Sequence, residues 1–171
     1  MRQTVDKYQA VDKAWRRIRD RVKRQGADKT CDQMILLLQN PRYPLYYSVQ
    51  LVEYLLKRGE YEAAGRMICA VDHSGRKHPL IDKLHSTWLW CIGKRREALS
   101  FAITSAKVWN ISFVVHHAGT LYRCMADRED SPYYREKSER YWRIAHSLVE
   151  QEEKAEAKRS GTKRGLKRIG R

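Results

Sequence analysis

Apolar residues recur every three or four positions along most of this chain, the spacing of one face of an α-helix. A first series runs from Trp15 to Val22, and a second runs from Cys31 to Leu38. Gly26 lies between them, and glycine readily adopts the left-handed conformation that often ends a helix. The pattern therefore predicts two helices joined by a tight turn.

The same arrangement repeats further along the chain. Gly59 and Gly93 follow Gly26 at intervals of 33 and 34 residues, and each separates two apolar series. A period of this length is typical of helical repeat proteins, in which neighbouring units stack and bury a continuous core. We expect an all-α chain of about four antiparallel helical hairpins. The predicted units span residues 11–40, 45–74, 79–109 and 111–150.

The fourth unit departs from the regular pattern. The polar residues from Asp127 to Pro132 predict a long turn, and the second helix of this unit is expected from Arg135 to about Lys158. The exposed loop Asp127–Tyr134 is a possible site for a specific contact. Residues 1–157 are expected to form the repeat domain, and residues 158–171 to form a disordered basic tail.

Several of these segments resemble the tetratricopeptide repeat, a helical hairpin of about 34 residues. The sequence from Lys57 to Ala64 is close to the turn of that family, and Ala118-Gly119 followed by Tyr122 matches its first helix. His85 and Ser86 stand where the family has Leu-Gly. The resemblance covers about residues 11–148 and implies a right-handed superhelix of hairpins.

Family geometry implies that certain first-helix positions face a concave groove in which such proteins hold their ligands. In this chain those positions combine basic and aromatic side chains. The implied groove residues are Lys13, Arg16, Lys23, Arg24, Tyr46, Lys57, Lys83, Trp90, Phe113, His116 and Arg123.

The net charge of +15 arises almost entirely at the two ends of the chain. Residues 1–24 contain nine Lys or Arg against three Asp, and residues 158–171 contain seven Lys or Arg and no acid. Concentrated positive charge attracts polyanions. The candidate polyanion-binding residues are Arg17, Arg19, Arg21, Lys158, Arg159, Lys163, Arg164, Lys167, Arg168 and Arg171. Solvated helix faces and a solubilising tail are the simpler interpretations.

Catalytic and metal chemistry have little support in the sequence. The four cysteines form no C-x-x-C pair, and the adjacent His116 and His117 have no carboxylate at i+4. We therefore expect neither enzymatic activity nor a cofactor. The longest apolar run, Met34–Leu38, is too short to cross a bilayer, and the first residues lack the apolar stretch of a signal peptide. We expect a cytoplasmic protein without integral membrane association.

Two classes of function fit the pattern. In the first, the chain is an adaptor whose basic groove binds an acidic protein or peptide, because arginine pairs well with carboxylates and aromatic rings supply apolar contact. In the second, the chain binds nucleic acid or a ribonucleoprotein, with phosphate contacts from the first helix and the tail. The sequence leaves both open.

Overall fold

The computed structural model describes residues 16–169, with side chains described through residue 159. These residues form eight helices and no strand, which confirms the predicted all-α class. The helices are α1 (16–25), α2 (Ala27–Leu38), α3 (Leu45–Lys57), α4 (Tyr61–His73), α5 (Pro79–Cys91), α6 (Arg95–Trp109), α7 (Ser112–Glu129) and α8 (Pro132–Ile169). The predicted site residues Lys13 and Arg171 lie outside the described residues.

The glycine turns have the predicted left-handed backbone. Gly26, Gly59 and Gly93 have φ values of 86°, 75° and 86°, in a region that residues with a β-carbon rarely adopt. Each glycine follows the end of one helix, and the next helix begins one or two residues later. The period of the glycines is therefore the period of the helical pairs.

The chain divides into two compact units, Met1–Ala98 and Leu99–Arg171. In the first unit α2 packs against α3 and α4, and α5 packs against α3 and α4. Their apolar faces form one core, in which Leu51, Leu55, Met67 and Ile68 are fully buried. Successive hairpins therefore share a continuous core, as the repeat pattern predicts.

Two polar contacts hold α4 against α2. The buried Cys31 thiol donates a hydrogen bond to the backbone carbonyl of Ala63 at 3.0 Å. Near the surface, the guanidinium of Arg66 donates to Asp28 and to Asp32, each at 2.8 Å. Because Asp28 and Asp32 lie one turn apart on α2, a single arginine fork fixes the register of the two helices.

Helices α4 and α5 pack closely where a tryptophan of α5 contacts a glycine of α4. The indole of Trp88 lies directly on Gly65, and its Nε1 donates to the carbonyl oxygen of Tyr61 at 2.8 Å. On the same helix as Trp88, Ser86 is fully buried, and its hydroxyl donates to the carbonyl of Lys83 at 2.8 Å.

The second unit contains a hairpin of α7 and α8. Trp142 of α8 lies against Gly119 of α7, 23 residues earlier, which is also the separation of Gly65 and Trp88. At the far end of the hairpin, the Glu152 carboxylate accepts hydrogen bonds from the backbone N–H and the hydroxyl of Ser112, at 2.9 and 2.7 Å. The side chain of one helix therefore caps the first residue of the other.

Two predictions in the fourth unit are wrong. The expected loop Asp127–Tyr134 is a turn of only Asp130 and Ser131, because α7 continues to Glu129 and α8 starts at Pro132 rather than Arg135. Polar residues at 127–129 suit an exposed helix face, where Asp127 pairs with Arg123 at 3.0 Å. Asp130 has a φ of 43° and makes the turn that glycine makes elsewhere.

Helix α8 extends past the end that the sequence predicted for it. Helix α8 continues through residues 158–169, well beyond the predicted end near Lys158. Residues 158–169 contain no proline, and a glycine in a helix costs only about 1 kcal/mol relative to alanine. The glycines at 161 and 165 therefore weaken the helix without ending it.

Candidate anion-binding surface on the first helix

Helix α1 is anchored to the core by a narrow apolar stripe. Ile18 and Val22, one turn apart, are buried in the core of the first unit. At the end of the same face, the amide of Gln25 donates to Thr30 and Gln33 of α2 at 3.2 and 2.9 Å. Because three residues occupy the core side, the other positions of α1 are turned toward solvent.

The remaining positions of α1 are almost all cationic. Arg16, Arg17, Arg21, Lys23 and Arg24 are exposed, whereas Arg19 is half-buried. We call these six residues the α1 basic surface. Within residues 16–25 they are accompanied by a single acid, Asp20. A dense set of cations with one counter-charge creates a strongly positive local potential.

Asp20 organises part of this surface. The Nε atom of Arg19 lies 3.5 Å from the Asp20 carboxylate, and Nε of Arg24 donates to the Asp20 backbone carbonyl at 3.2 Å. On one flank, Arg17, Arg21 and Arg24 recur at i, i+4 and i+7 and so share a face. At 1.5 Å per residue this stripe of arginines is about 10 Å long.

Three tyrosines form a cluster around the start of α3. Burial raises the pKa of Tyr43, and the positive charge of Arg21 opposes part of that shift. The rings of Tyr43 and Tyr46 lie 5.7 and 6.0 Å from the ring of Tyr47. The hydroxyl of Tyr43 donates to Sδ of the buried Met34 at 3.0 Å, and the Tyr46 hydroxyl oxygen is also buried. Both rings therefore insert their polar ends into the protein.

The structure gives several of the predicted groove residues partners outside the predicted groove set. Lys57 pairs with Glu53 at 2.7 Å, the Arg95 guanidinium lies 5.8 Å from the Trp90 ring centre, and the His116 ring stacks on Trp142 at 6.1 Å. Lys83 is half-buried and Phe113 is exposed. These contacts do not join the residues into one site, so a common groove stays a prediction.

The basic residues near the end of the chain lie on α8. Lys158 and Arg159 are exposed, and positions 163, 164, 167 and 168 fall within the last turns of the helix. Six cations without an acid therefore follow a helical path about 15 Å long between residues 158 and 168.

Several features of the site were not predicted from sequence. The tyrosine cluster was missed, since Tyr43 and Tyr47 lie outside the repeat positions that the resemblance assigns to a groove. The run of Tyr43, Tyr46 and Tyr47 beside two prolines is the only signal that could have indicated it. The electrostatic influence of Arg21 on Tyr43 depends on how α1 packs, which periodicity alone does not fix.

The described residues also limit other kinds of site. Within residues 16–169, no helix combines the length and the apolar character needed to span a membrane. In the same part of the chain, no group of three or more His, Cys, Asp or Glu side chains is arranged to hold a metal ion. Comparisons of the chain with protein-family models, with curated proteins and with solved structures found no match.

Proposed function

We propose that this chain is a non-enzymatic interaction module whose α1 basic surface binds an acidic segment of a partner protein. The observation that carries the proposal is the density of exposed cations on a helix that the core holds in place. Ile18 and Val22 fix the orientation of α1, so the arginines need no further ordering of the backbone to bind. An arginine fork pairs bidentately with a carboxylate, and Arg66 already contacts two of them within this protein.

The tyrosine cluster favours carboxylates over nucleobases. Stacking on exposed aromatic rings supplies much of the affinity of proteins for single-stranded nucleic acid. Tyr43 and Tyr46 turn their hydroxyls into the core, and all three rings of the cluster are half-buried against one another. The surface near Arg21 therefore offers charge and hydrogen-bond donors rather than a stacking platform.

We also propose that the helical pairs form a tetratricopeptide-like array and that the predicted groove continues the binding surface. The left-handed glycine turns and the shared core of α2 to α5 support this arrangement. The four cysteines are free thiols, which supports a reducing compartment such as the cytoplasm.

Nucleic acid is the second candidate ligand, and the end of α8 is the observation that favours it. Cations concentrated along one continuous helix can follow a phosphate backbone, and such binding weakens steeply with salt. A ribonucleoprotein-associated role would use Lys158, Arg159 and the basic positions beyond them together with α1.

A direct test compares two labelled ligands of equal negative charge by fluorescence anisotropy. One is a short peptide of alternating Glu and Gly, and the other is a short single-stranded RNA of mixed sequence. The test variant removes the arginine stripe, and the control variant removes the same charge from exposed positions elsewhere. The test variant carries Arg17→Gln, Arg21→Gln and Arg24→Gln, and the control carries Lys29→Gln, Lys77→Gln and Arg96→Gln.

We expect the peptide to bind more tightly than the RNA. The arginine-stripe variant should lose about tenfold or more in peptide affinity, whereas the control variant should lose about threefold or less. A variant that ends before Lys158 tests the nucleic-acid candidate. If the RNA binds more tightly than the peptide and this truncation abolishes RNA binding, nucleic acid is the ligand and the proposal is wrong. Equal losses in the two variants would show that net charge, rather than the α1 basic surface, governs binding.

A further inference from the structure

A cavity of about 380 Å³ lies in the second unit, between the last part of α6 and the hairpin of α7 and α8. Its polar lining comes from three cations, three tyrosines and one amide side chain: Lys107, Lys137, Arg140, Tyr122, Tyr133, Tyr141 and Asn110. Aliphatic side chains from all three helices complete the wall. Cavities that hold small ligands have volumes in this range and combine an apolar wall with a few polar groups.

All the charged side chains that line the cavity are positive. None of its described lining residues is acidic, so the three cationic side chains are the charged groups of this wall; Lys107 and Arg140 are exposed, and Lys137 is half-buried. The Lys137 ammonium lies 5.2 Å from the centre of the Tyr133 ring, a cation–π contact that holds the side chain at the rim. In such a partly enclosed space a bound anion is screened less than it is on an open helix face.

The tyrosines add hydrogen-bond donors to these charges. Burial raises the pKa of Tyr122 to about 12, and burial also raises the pKa of Tyr141. Both phenols therefore stay protonated at neutral pH, so their hydroxyls can donate to an anion. The Tyr122 and Tyr141 rings lie 5.3 Å apart and form a rigid aromatic corner.

The sequence of α8 places these groups on one face. Tyr133, Lys137, Arg140 and Ile144 recur at spacings of four, three and four, which is one side of a helix. Arg143 is exposed on the same helix but is not part of the cavity wall. One helix therefore offers a cation inside the site and a matched cation outside it.

We propose that this cavity binds a small organic anion, with one carboxylate or phosphate group on an apolar body about the size of an aromatic ring. The anionic group contacts Arg140, Lys137 and Lys107, and the apolar body lies against the tyrosine rings and the aliphatic wall. The proposal concerns the second unit and is independent of the α1 basic surface, so either can fail without the other.

Titration calorimetry on the full chain tests this site with defined probes. Benzoate and phenyl phosphate carry both required features, benzyl alcohol lacks the charge, and inorganic phosphate lacks the ring. We expect benzoate or phenyl phosphate to bind and the other two probes to bind at least about tenfold more weakly. Comparison of the two binding probes then identifies whether carboxylate or phosphate is preferred.

Variants locate the binding within the chain. Arg140→Gln should weaken the preferred probe about tenfold or more, whereas Arg143→Gln should change it by less than about twofold, because Arg143 is equally exposed but does not line the cavity. Lys137→Gln provides a second variant, and far-UV circular dichroism checks that each variant is folded. The proposal is overturned if neither aromatic anion binds, if benzyl alcohol or inorganic phosphate binds equally well, or if Arg140→Gln and Arg143→Gln have equal effects.

Discussion

Trp88 lies so close to Gly65 that a β-carbon on the glycine would be 2.6 Å from Cζ2 of the indole. That distance is far inside van der Waals contact, so the two helices meet at a separation that only glycine permits. The hydrogen bond from the indole Nε1 to the Tyr61 carbonyl holds the ring in place on α4. The junction of α4 and α5 therefore depends on a single missing methyl group.

Replacement of Gly65 by alanine should destabilise the protein. Alanine in place of glycine usually stabilises a helix by about 0.5–1 kcal/mol. Here the clash with Trp88 should outweigh that gain and lower the free energy of unfolding by about 1–3 kcal/mol. Urea unfolding followed by circular dichroism measures the change.

The Trp88→Leu background supplies the control for this prediction. With the indole removed, Gly65→Ala should be neutral or stabilising, because only the helix propensity remains. Equal destabilisation in both backgrounds would place the cause outside the Gly65–Trp88 contact.

Arg66→Gln should weaken the attachment of α4 to α2 by a modest amount. The guanidinium and its two carboxylate partners are exposed, so we expect a loss of about 1 kcal/mol or less despite the two 2.8 Å contacts. Arg66→Lys should recover only part of this loss, since an ammonium does not match the fork. Thermal unfolding at low and high salt measures both variants, and a loss that does not depend on salt would contradict an ionic origin.

The four cysteines should differ sharply in reactivity. Cys69 and Cys91 are exposed and Cys124 is half-buried, whereas Cys31 is fully buried. Burial raises the pKa of the Cys31 thiol to about 11, so almost no thiolate is present at neutral pH. Mass spectrometry after brief alkylation should find Cys31 unmodified in the folded chain and modified in urea. Rapid native labelling of Cys31 would show that the junction of α2 and α4 opens readily.

Stability should depend on the ionisation of Glu152 in acid. Hydrogen bonds from the backbone and the hydroxyl of Ser112 hold the pKa of Glu152 below its ordinary value of 4.5. Because the folded-state pKa is the lower one, the carboxylate stabilises the fold above pH 4.5, and this contribution is lost as the pH falls through the folded-state pKa. Urea unfolding at neutral and acidic pH should therefore show a smaller acid-induced loss for Glu152→Gln than for the natural chain.

Glu153→Gln is the control, since Glu153 is exposed one position along the same helix. It should keep the full pH dependence of the natural chain. If the two variants respond alike, Glu152 does not contribute through its contact with Ser112.

The repeat pattern predicted the all-α class and three of the turns because these signals are local. A glycine at positive φ and an apolar stripe each follow from neighbouring residues, so Gly26, Gly59 and Gly93 located three turns correctly. The turn at Asp130 was missed because charged residues occur both in loops and on exposed helix faces. The Arg123–Asp127 pair resolves that ambiguity only once the helix is known.

Less of the candidate sites could be predicted, since they depend on how distant residues meet. The sequence does indicate that Ile18 and Val22 turn the α1 arginines outward. It does not indicate that Tyr43 inserts its hydroxyl toward Met34, or that Lys107 of α6 faces the same cavity as Arg140 of α8. Those relations arise from packing across helices rather than from spacing along the chain.

The contact between Glu152 and Ser112 affects how the hairpin of α7 and α8 is expected to open locally. Helical hairpins generally fray first at the end away from their turn. In this hairpin the turn at Asp130 and Ser131 closes one end, and the Glu152 carboxylate latches the other by holding the first amide of α7. Hydrogen exchange at the Ser112 amide should therefore report the opening of the whole hairpin rather than local fraying.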